Sequence, residues 1–225
     1  MRLTPNPPKE QLRKRQAVRS NEASNARVIP QFRHVKRYWD PSRKIHVAQI
    51  CPGEVYVTKQ HELISTLLGS CIAVCMRDKR GTVGGMNHFK LPHSNPTKAD
   101  TVDTNYGIHA MELLINEILK NGGQRPFLEC EIFGGGSVVA GLSSSIGDKN
   151  IEFVNSFLRQ ERILIRRQDT GKRGAQQVYY HPISGNTFSV EKQDMTQEKL
   201  KKAEELYLKK VNIEMDDDDS GITYF

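Results

Sequence analysis

The chain has 225 residues, 37% of them hydrophobic, which is enough to bury one ordinary core, and nothing in it suggests two large domains. No apolar run approaches the roughly 20 residues that a membrane-spanning helix needs, and the first residues lack the charged, apolar and small-residue succession of a secretory signal. The four cysteines, Cys51, Cys71, Cys75 and Cys130, show no framework spacing, so a cytoplasmic protein with free thiols is expected.

The formal charge of +7 is unevenly placed. Residues 1–45 carry twelve lysines and arginines against Glu10, Glu22 and Asp40, together with Pro5, Pro7, Pro8, Pro30 and Pro41. That composition predicts a solvated, disordered basic tail over 1–45, with Phe32, Tyr38 and Trp39 able to dock its last part. An arm for nucleic acid or an anionic membrane is the sharper alternative, and nucleic acid is not expected as a partner. From His46 to Val57 the alternation is strand-like, broken at Pro52-Gly53, and Lys59-Gln60-His61 is a short linker. Ile72 to Met76 and Thr82 to Phe89 form the arms of a hairpin around Asp78-Lys79-Arg80-Gly81. After a loop with Pro92 and Pro96, Tyr106, Ala110, Leu113, Leu114, Glu117 and Ile118 recur at helical spacing, with Asn121-Gly122-Gly123 as the stop. Leu128 to Phe133 reads as a buried strand. A second helix is expected to start after Asn150 as N-cap, with Ile151, Val154, Phe157 and Leu158 as its apolar stripe. Ile163 to Arg167 and Gln177 to Tyr180 read as strands, and Ile183-Ser184-Gly185-Asn186 turns into Thr187 to Val190. A charged helix over Thr196 to Val211 and the run Asp216 to Asp219 close the chain. Strands and helices mix without a βαβ rhythm, which predicts an α+β fold over residues 46–195, flanked by the tail at 1–45 and a charged segment at 196–225.

The hairpin carries the most chemistry. A two-residue loop at Lys79-Arg80 places Cys71 directly opposite His88, where Cβ atoms lie roughly 4.5–5.5 Å apart. A three-residue loop with Gly81 as a bulge places Phe89 opposite Cys71 instead. In both registers one thiol and one imidazole share an end of the hairpin. Such a pair is the minimum for thiolate catalysis: Cys71 as nucleophile, and His88 as base and then acid, its ordinary pKa of about 6.5 lying near neutrality. Backbone N–H groups at the turn formed by Gly69 and Ser70 are candidate oxyanion donors. By themselves, a cysteine and a histidine in one hairpin are a weak signature, since both residue types are more often plain core.

At LLGSCIAV, GGMNHFKLP, FGGGS (Phe133 to Ser137), IGDKN (Ile146 to Asn150) and VYYHPISGNTFSV, the chain resembles the CheD family, the chemoreceptor glutamine deamidases of bacterial chemotaxis. The resemblance covers roughly residues 47 to 192. It implies a layered α/β sandwich, with Cys71 and His88 as the catalytic pair and a hydroxyl just upstream, on Ser65 or Thr66, that orients the imidazole. It also implies an amidohydrolase that converts receptor glutamines to glutamates through a γ-glutamyl thioester. No cofactor or metal is implied. The partners would be chemoreceptor cytoplasmic domains, so that the membrane is met only through receptors, and a CheC-type phosphatase. A site open to a side chain presented on a helix is therefore expected. The chain departs from the family pattern at GKRGAQQV, where Gln176 and Gln177 stand in place of an arginine. The competing function is a non-catalytic adaptor that binds receptors or the phosphatase.

Other candidates are weaker. Cys75 with His88 and His93 invites a zinc reading, but no paired C-x2-C accompanies them. Gly134-Gly135-Gly136 lacks the Walker lysine and the dinucleotide spacing, and reads as a tight turn that lets backbone approach the site. His61, His109, His181, Asp148 and Asn150 are assigned structural places only.

Overall fold

The computed structural model describes residues 27–91, 100–136 and 144–192. Among these residues, ten strands form two five-stranded mixed sheets. In the first, β1 (Lys36–Asp40), β2 (Ile45–Gln49), β4 (Leu63–Leu68), β9 (Ala175–His181) and β10 (Asn186–Lys192) lie in the order β1-β2-β4-β9-β10. In the second, β3 (Val55–Thr58), β5 (Ile72–Asp78), β6 (Gly84–Phe89), β7 (Leu128–Gly134) and β8 (Leu164–Thr170) lie in the order β3-β6-β5-β7-β8. Each sheet has one parallel pair, β2 with β4 and β7 with β8. The latter is joined through a helix, as a parallel crossover requires.

Two helices, α1 (Asp100–Lys120) and α2 (Ser144–Gln160), cover the second sheet. Met111, Leu114, Ile115 and Ile118 bury one face of α1. The helix stops as the sequence predicts: Gly122, at φ +101°, sends its N–H to Leu119 O and Gly123 sends its N–H to Ile118 O, a Schellman ending. The second sheet is thus the middle of three layers, and β5, β6 and β7 are buried on both faces. Ile72, Val74, Met76, Asn87 and Phe89 face the helices, where Asn87 Nδ2 reaches Ala110 O and Phe89 meets the Phe153 ring. Ala73, Cys75, Arg77, Met86 and His88 face the first sheet, with Arg77 Nη1 donating to Ile183 O. The mixed-sheet α+β sandwich is the expected architecture.

Three expectations change. The segment assigned to the tail through residue 45 enters the domain earlier: Val28, Phe32 and Val35 are core, and β1 pairs with β2. Composition averaged over 45 residues conceals these few apolar side chains; Phe32 alone packs 5.6 Å from the Tyr56 ring. The second helix begins at Ser144, not after Asn150, so Asn150 is interior to it. Finally, Ile72 pairs with Phe89 and Arg77 with Gly84, so neither predicted register holds. The hairpin loop is longer because Asp78 N–H still bonds Val83 O, while Gly81 N–H closes a turn onto Asp78 O. The Asp78 carboxylate fixes that turn by accepting from Arg80 N, Arg80 Nε and Gln124 N. The helix expected at 196–211 lies outside the described residues.

Candidate active site

One end of the layer between the sheets collects the predicted residues. β4 ends there at Leu68, β5 starts at Ile72, β6 ends at Phe89 and β7 ends at Gly134, with Ile72 paired to both Phe89 and Gly134. Cys71 sits in the bend just before β5, and His88 is opposite Ala73, so Cys71 is a diagonal neighbour of His88 rather than its direct partner. If the strand alternation of β5 is extended one residue back into the bend, Cys71 falls on the face shared by Ala73 and His88, at a diagonal spacing of roughly 7–8 Å between backbones.

Thr66 meets His88 across the two sheets. Thr66 Oγ1 lies 2.7 Å from His88 Nδ1 and donates to Ile50 O at 2.9 Å. A hydroxyl has one proton and a carbonyl only accepts, so the Thr66 proton is committed to Ile50. Oγ1 therefore accepts from Nδ1–H, which leaves the lone pair of neutral His88 on Nε2. Nε2 is buried and has no hydrogen-bond partner among the described residues. Burial lowers the His88 pKa to about 3, so the imidazole is neutral at pH 7. The expectation of an ordinary histidine poised near 6.5 gives way to a buried neutral base.

Ser65 points to the opposite face, because neighbours on a strand alternate. Its Oγ accepts from Gln177 Nε2 at 2.6 Å, and the same amide donates to Thr66 O at 3.0 Å. Gln176 Nε2 donates to Asp169 Oδ2. The two glutamines that stand where an arginine was expected thus bind β4 and the β8 end.

The Gly69-Ser70-Cys71 bend is held by its carbonyls. Gly136 N–H donates to Gly69 O at 2.7 Å, Asn150 Nδ2 to Ser70 O at 2.9 Å, and Gly135 N–H to Cys71 O at 2.7 Å. The glycine run lets backbone lie directly on the bend, as expected: a Cβ on Gly134, at φ +98°, would fall 2.1 Å from Cys71 O. Cys71 and His88 are 1% and 2% exposed, so the described residues do not form the open site that was expected. Sequence reasoning missed the Asn150 amide and the Ile50 carbonyl; the IGDKN motif was the only signal for the former.

Cys75 and Cys130 take no part. Burial raises both thiols, Cys130 to about 12, so they remain protonated packing groups. Cys51 is exposed. Among the described residues, no group of three or more His, Cys, Asp or Glu side chains is placed to hold a metal, and no helix is long and apolar enough to cross a membrane.

A sequence profile described as "CheD chemotactic sensory transduction" matches residues 90–191, a span that begins after His88 and so owes nothing to the Cys71–His88 pair. The "Probable chemoreceptor glutamine deamidase CheD" of Halorhodospira halophila is 42% identical over 202 residues, covering 87% of this chain and 93% of that protein. The protein of the same name from Methylobacillus flagellatus is 42% identical over 178 residues, covering 77% and 88%. Among solved structures, that of the Bacillus licheniformis hypothetical protein YfiH overlaps 56% of this chain and 60% of its own, at 13% identity and TM-score 0.35.

Proposed function

The chain belongs to the CheD family, and from that premise we propose that it hydrolyses glutamine side chains of methyl-accepting chemotaxis receptors to glutamates, with Cys71 as nucleophile and His88 as base and acid. It is then a protein-glutamine glutaminase, an amidohydrolase acting at the cytoplasmic ends of receptors. The observation that carries the catalytic assignment is the Thr66–His88 hydrogen bond, which leaves Nε2 of a buried neutral imidazole as the basic atom beside the Cys71 bend.

As Cys71 Sγ attacks the amide carbon, its proton passes to His88 Nε2, and negative charge collects on the amide oxygen. Backbone N–H groups of the Gly69-Ser70-Cys71 bend stabilise that oxygen. The new imidazolium gives its proton to the departing nitrogen, the carbon–nitrogen bond breaks, and ammonia leaves a γ-glutamyl thioester. Water then loses a proton to Nε2 and adds to the thioester carbon; collapse expels the sulfur, which recovers that proton, and glutamate remains. Imidazolium formed in a buried site is expensive alone, so it persists only while the oxyanion or sulfur anion is beside it.

The test is peptide mass spectrometry of a receptor cytoplasmic fragment treated with the parent protein, Cys71→Ala or His88→Ala. A gain of about one mass unit at discrete glutamines, with the parent alone, is the expected result. A gain that survives Cys71→Ala removes the nucleophile from this reading, and no gain on any receptor of the host favours the adaptor. A CheC-type phosphatase partner follows from the family resemblance; co-elution of the two proteins tests it.

A further inference from the structure

The residue that joins the two halves of this site comes from neither strand. Asn150 is fully buried inside α2, and its side-chain amide makes two hydrogen bonds: Nδ2 donates to Ser70 O at 2.9 Å, and Oδ1 accepts from Leu91 N–H at 3.0 Å. Ser70 precedes Cys71, and Leu91 lies three residues after His88. The two partners fix which end of the amide is which, since a carbonyl only accepts and a backbone N–H only donates. In a trans peptide the carbonyl and the following N–H point in opposite directions, and no peptide bond among the described residues is cis. Holding Ser70 O toward Asn150 therefore fixes the plane of the Ser70–Cys71 peptide and aims the Cys71 N–H away from α2.

We propose that Asn150 is a positioning residue of the reaction: its amide ties the Cys71 bend to the end of β6 and sets the angle at which Cys71 meets His88 and the substrate oxyanion. Three features support a role beyond filling the core. As a helix-interior residue it could have been any apolar side chain, yet it is an amide with both ends engaged. One partner adjoins Cys71 and the other lies three residues beyond His88 on the same segment. The helix gives it a rigid base, because Gly147, one turn earlier, packs against the glycine run: a Cβ there would meet Gly135 O at 2.4 Å. The bend is thus referred to α2 by backbone and side chain together.

The assignment rests on the glutaminase reading of Cys71 and His88, and two readouts separate their failures. Asn150→Ala and Leu158→Ala, the latter a buried residue on the same helix outside the site, are compared for melting temperature, kcat and KM on a receptor fragment, and the rate of Cys71 alkylation by iodoacetamide. Asn150→Ala is expected to lower kcat about 10²-fold with KM within about twofold, because misplacement of reacting groups acts on the chemical step. Alkylation of Cys71 at pH 7 should slow about tenfold as the sulfur loses its base. Leu158→Ala should lose comparable melting temperature while keeping kcat within about threefold. Should Asn150→Ala fail to fold, Asn150→Asp serves: its carboxyl can donate to Ser70 O only while protonated, so its kcat relative to the parent should fall as pH rises. Unchanged kcat and alkylation, losses that track melting temperature equally in Asn150→Ala and Leu158→Ala, or a pH-independent ratio for Asn150→Asp would each overturn the proposal. A parent inactive on every receptor fragment sinks the glutaminase reading, and the alkylation rates still decide whether Asn150 aligns Cys71.

Discussion

Thr66 illustrates how a single proton decides a tautomer. With its hydroxyl hydrogen committed to Ile50 O, it acts on His88 only as an acceptor, and so selects the tautomer with basic Nε2. Thr66→Val keeps the shape but leaves Nδ1–H and Ile50 O unpaired in a buried place, so two tautomers compete and stability falls by about 1–3 kcal/mol. Steady-state kinetics on a receptor fragment should show kcat reduced about 10²-fold, within the share that positioned acid–base groups contribute. Thr66→Ser retains the hydroxyl and should stay within about fivefold of the parent, whereas Ser65→Ala, which loses only the Gln177 contact, should leave kcat nearly unchanged. Equal losses in Thr66→Val and Ser65→Ala would refute the tautomer argument. In the sequence the two hydroxyls are adjacent and chemically alike. Only strand alternation against a specific partner sheet tells them apart, and that pairing is non-local.

At the scale of elements, the hairpin was legible because apolar β-branched residues flank a polar turn, but its register was not. Two-residue and three-residue loops were both reasonable from Asp78-Lys79-Arg80-Gly81; the longer loop is stabilised by Asp78, whose carboxylate reaches Gln124 as well as Arg80. Asn150 misled for a related reason. Asparagine before an apolar stripe usually caps a helix, and here its amide is engaged by Ser70 and Leu91, two segments distant in sequence. The glycine run lets backbone approach the bend as its sequence predicts, and the contact supports a sharp comparison. Gly134→Ala combines a positive φ with a Cβ 2.1 Å from Cys71 O, so strain and overpacking together should cost at least about 3 kcal/mol. Gly171→Ala, at φ +74° with nothing within 4 Å of its Cβ, should cost only about 1–2 kcal/mol. Urea denaturation of the two variants measures both; similar midpoints would mean that the bend yields freely to the glycine strand.

For the whole molecule, the position of His88 between two sheets makes this buried imidazole a determinant of acid stability. Its pKa of about 3 in the fold lies below the ordinary 6.5, so unfolding takes up a proton between those values. Stability contributed by keeping this group neutral is complete above about pH 6.5 and drains away as pH falls toward 3, at up to about 1.4 kcal/mol per pH unit. Burial also lowers His46 and His181, which add in the same direction. Asp78 acts in a lower window: its hydrogen bonds with Arg80 hold it at about 2 against an ordinary 3.8, so its contribution is lost only below the latter value. Between pH 6.5 and 4.5, then, buried histidines dominate the loss. His88→Gln has no proton to take up, and urea titrations at the two pH values should show the parent losing about 2 kcal/mol more than the variant over that interval. An identical pH slope in both proteins would mean that His88 is solvated or paired with an anion in the fold. The expected slope follows from the layering itself, because protonating His88 places a charge between the two sheets whose docking brings Thr66 to its ring.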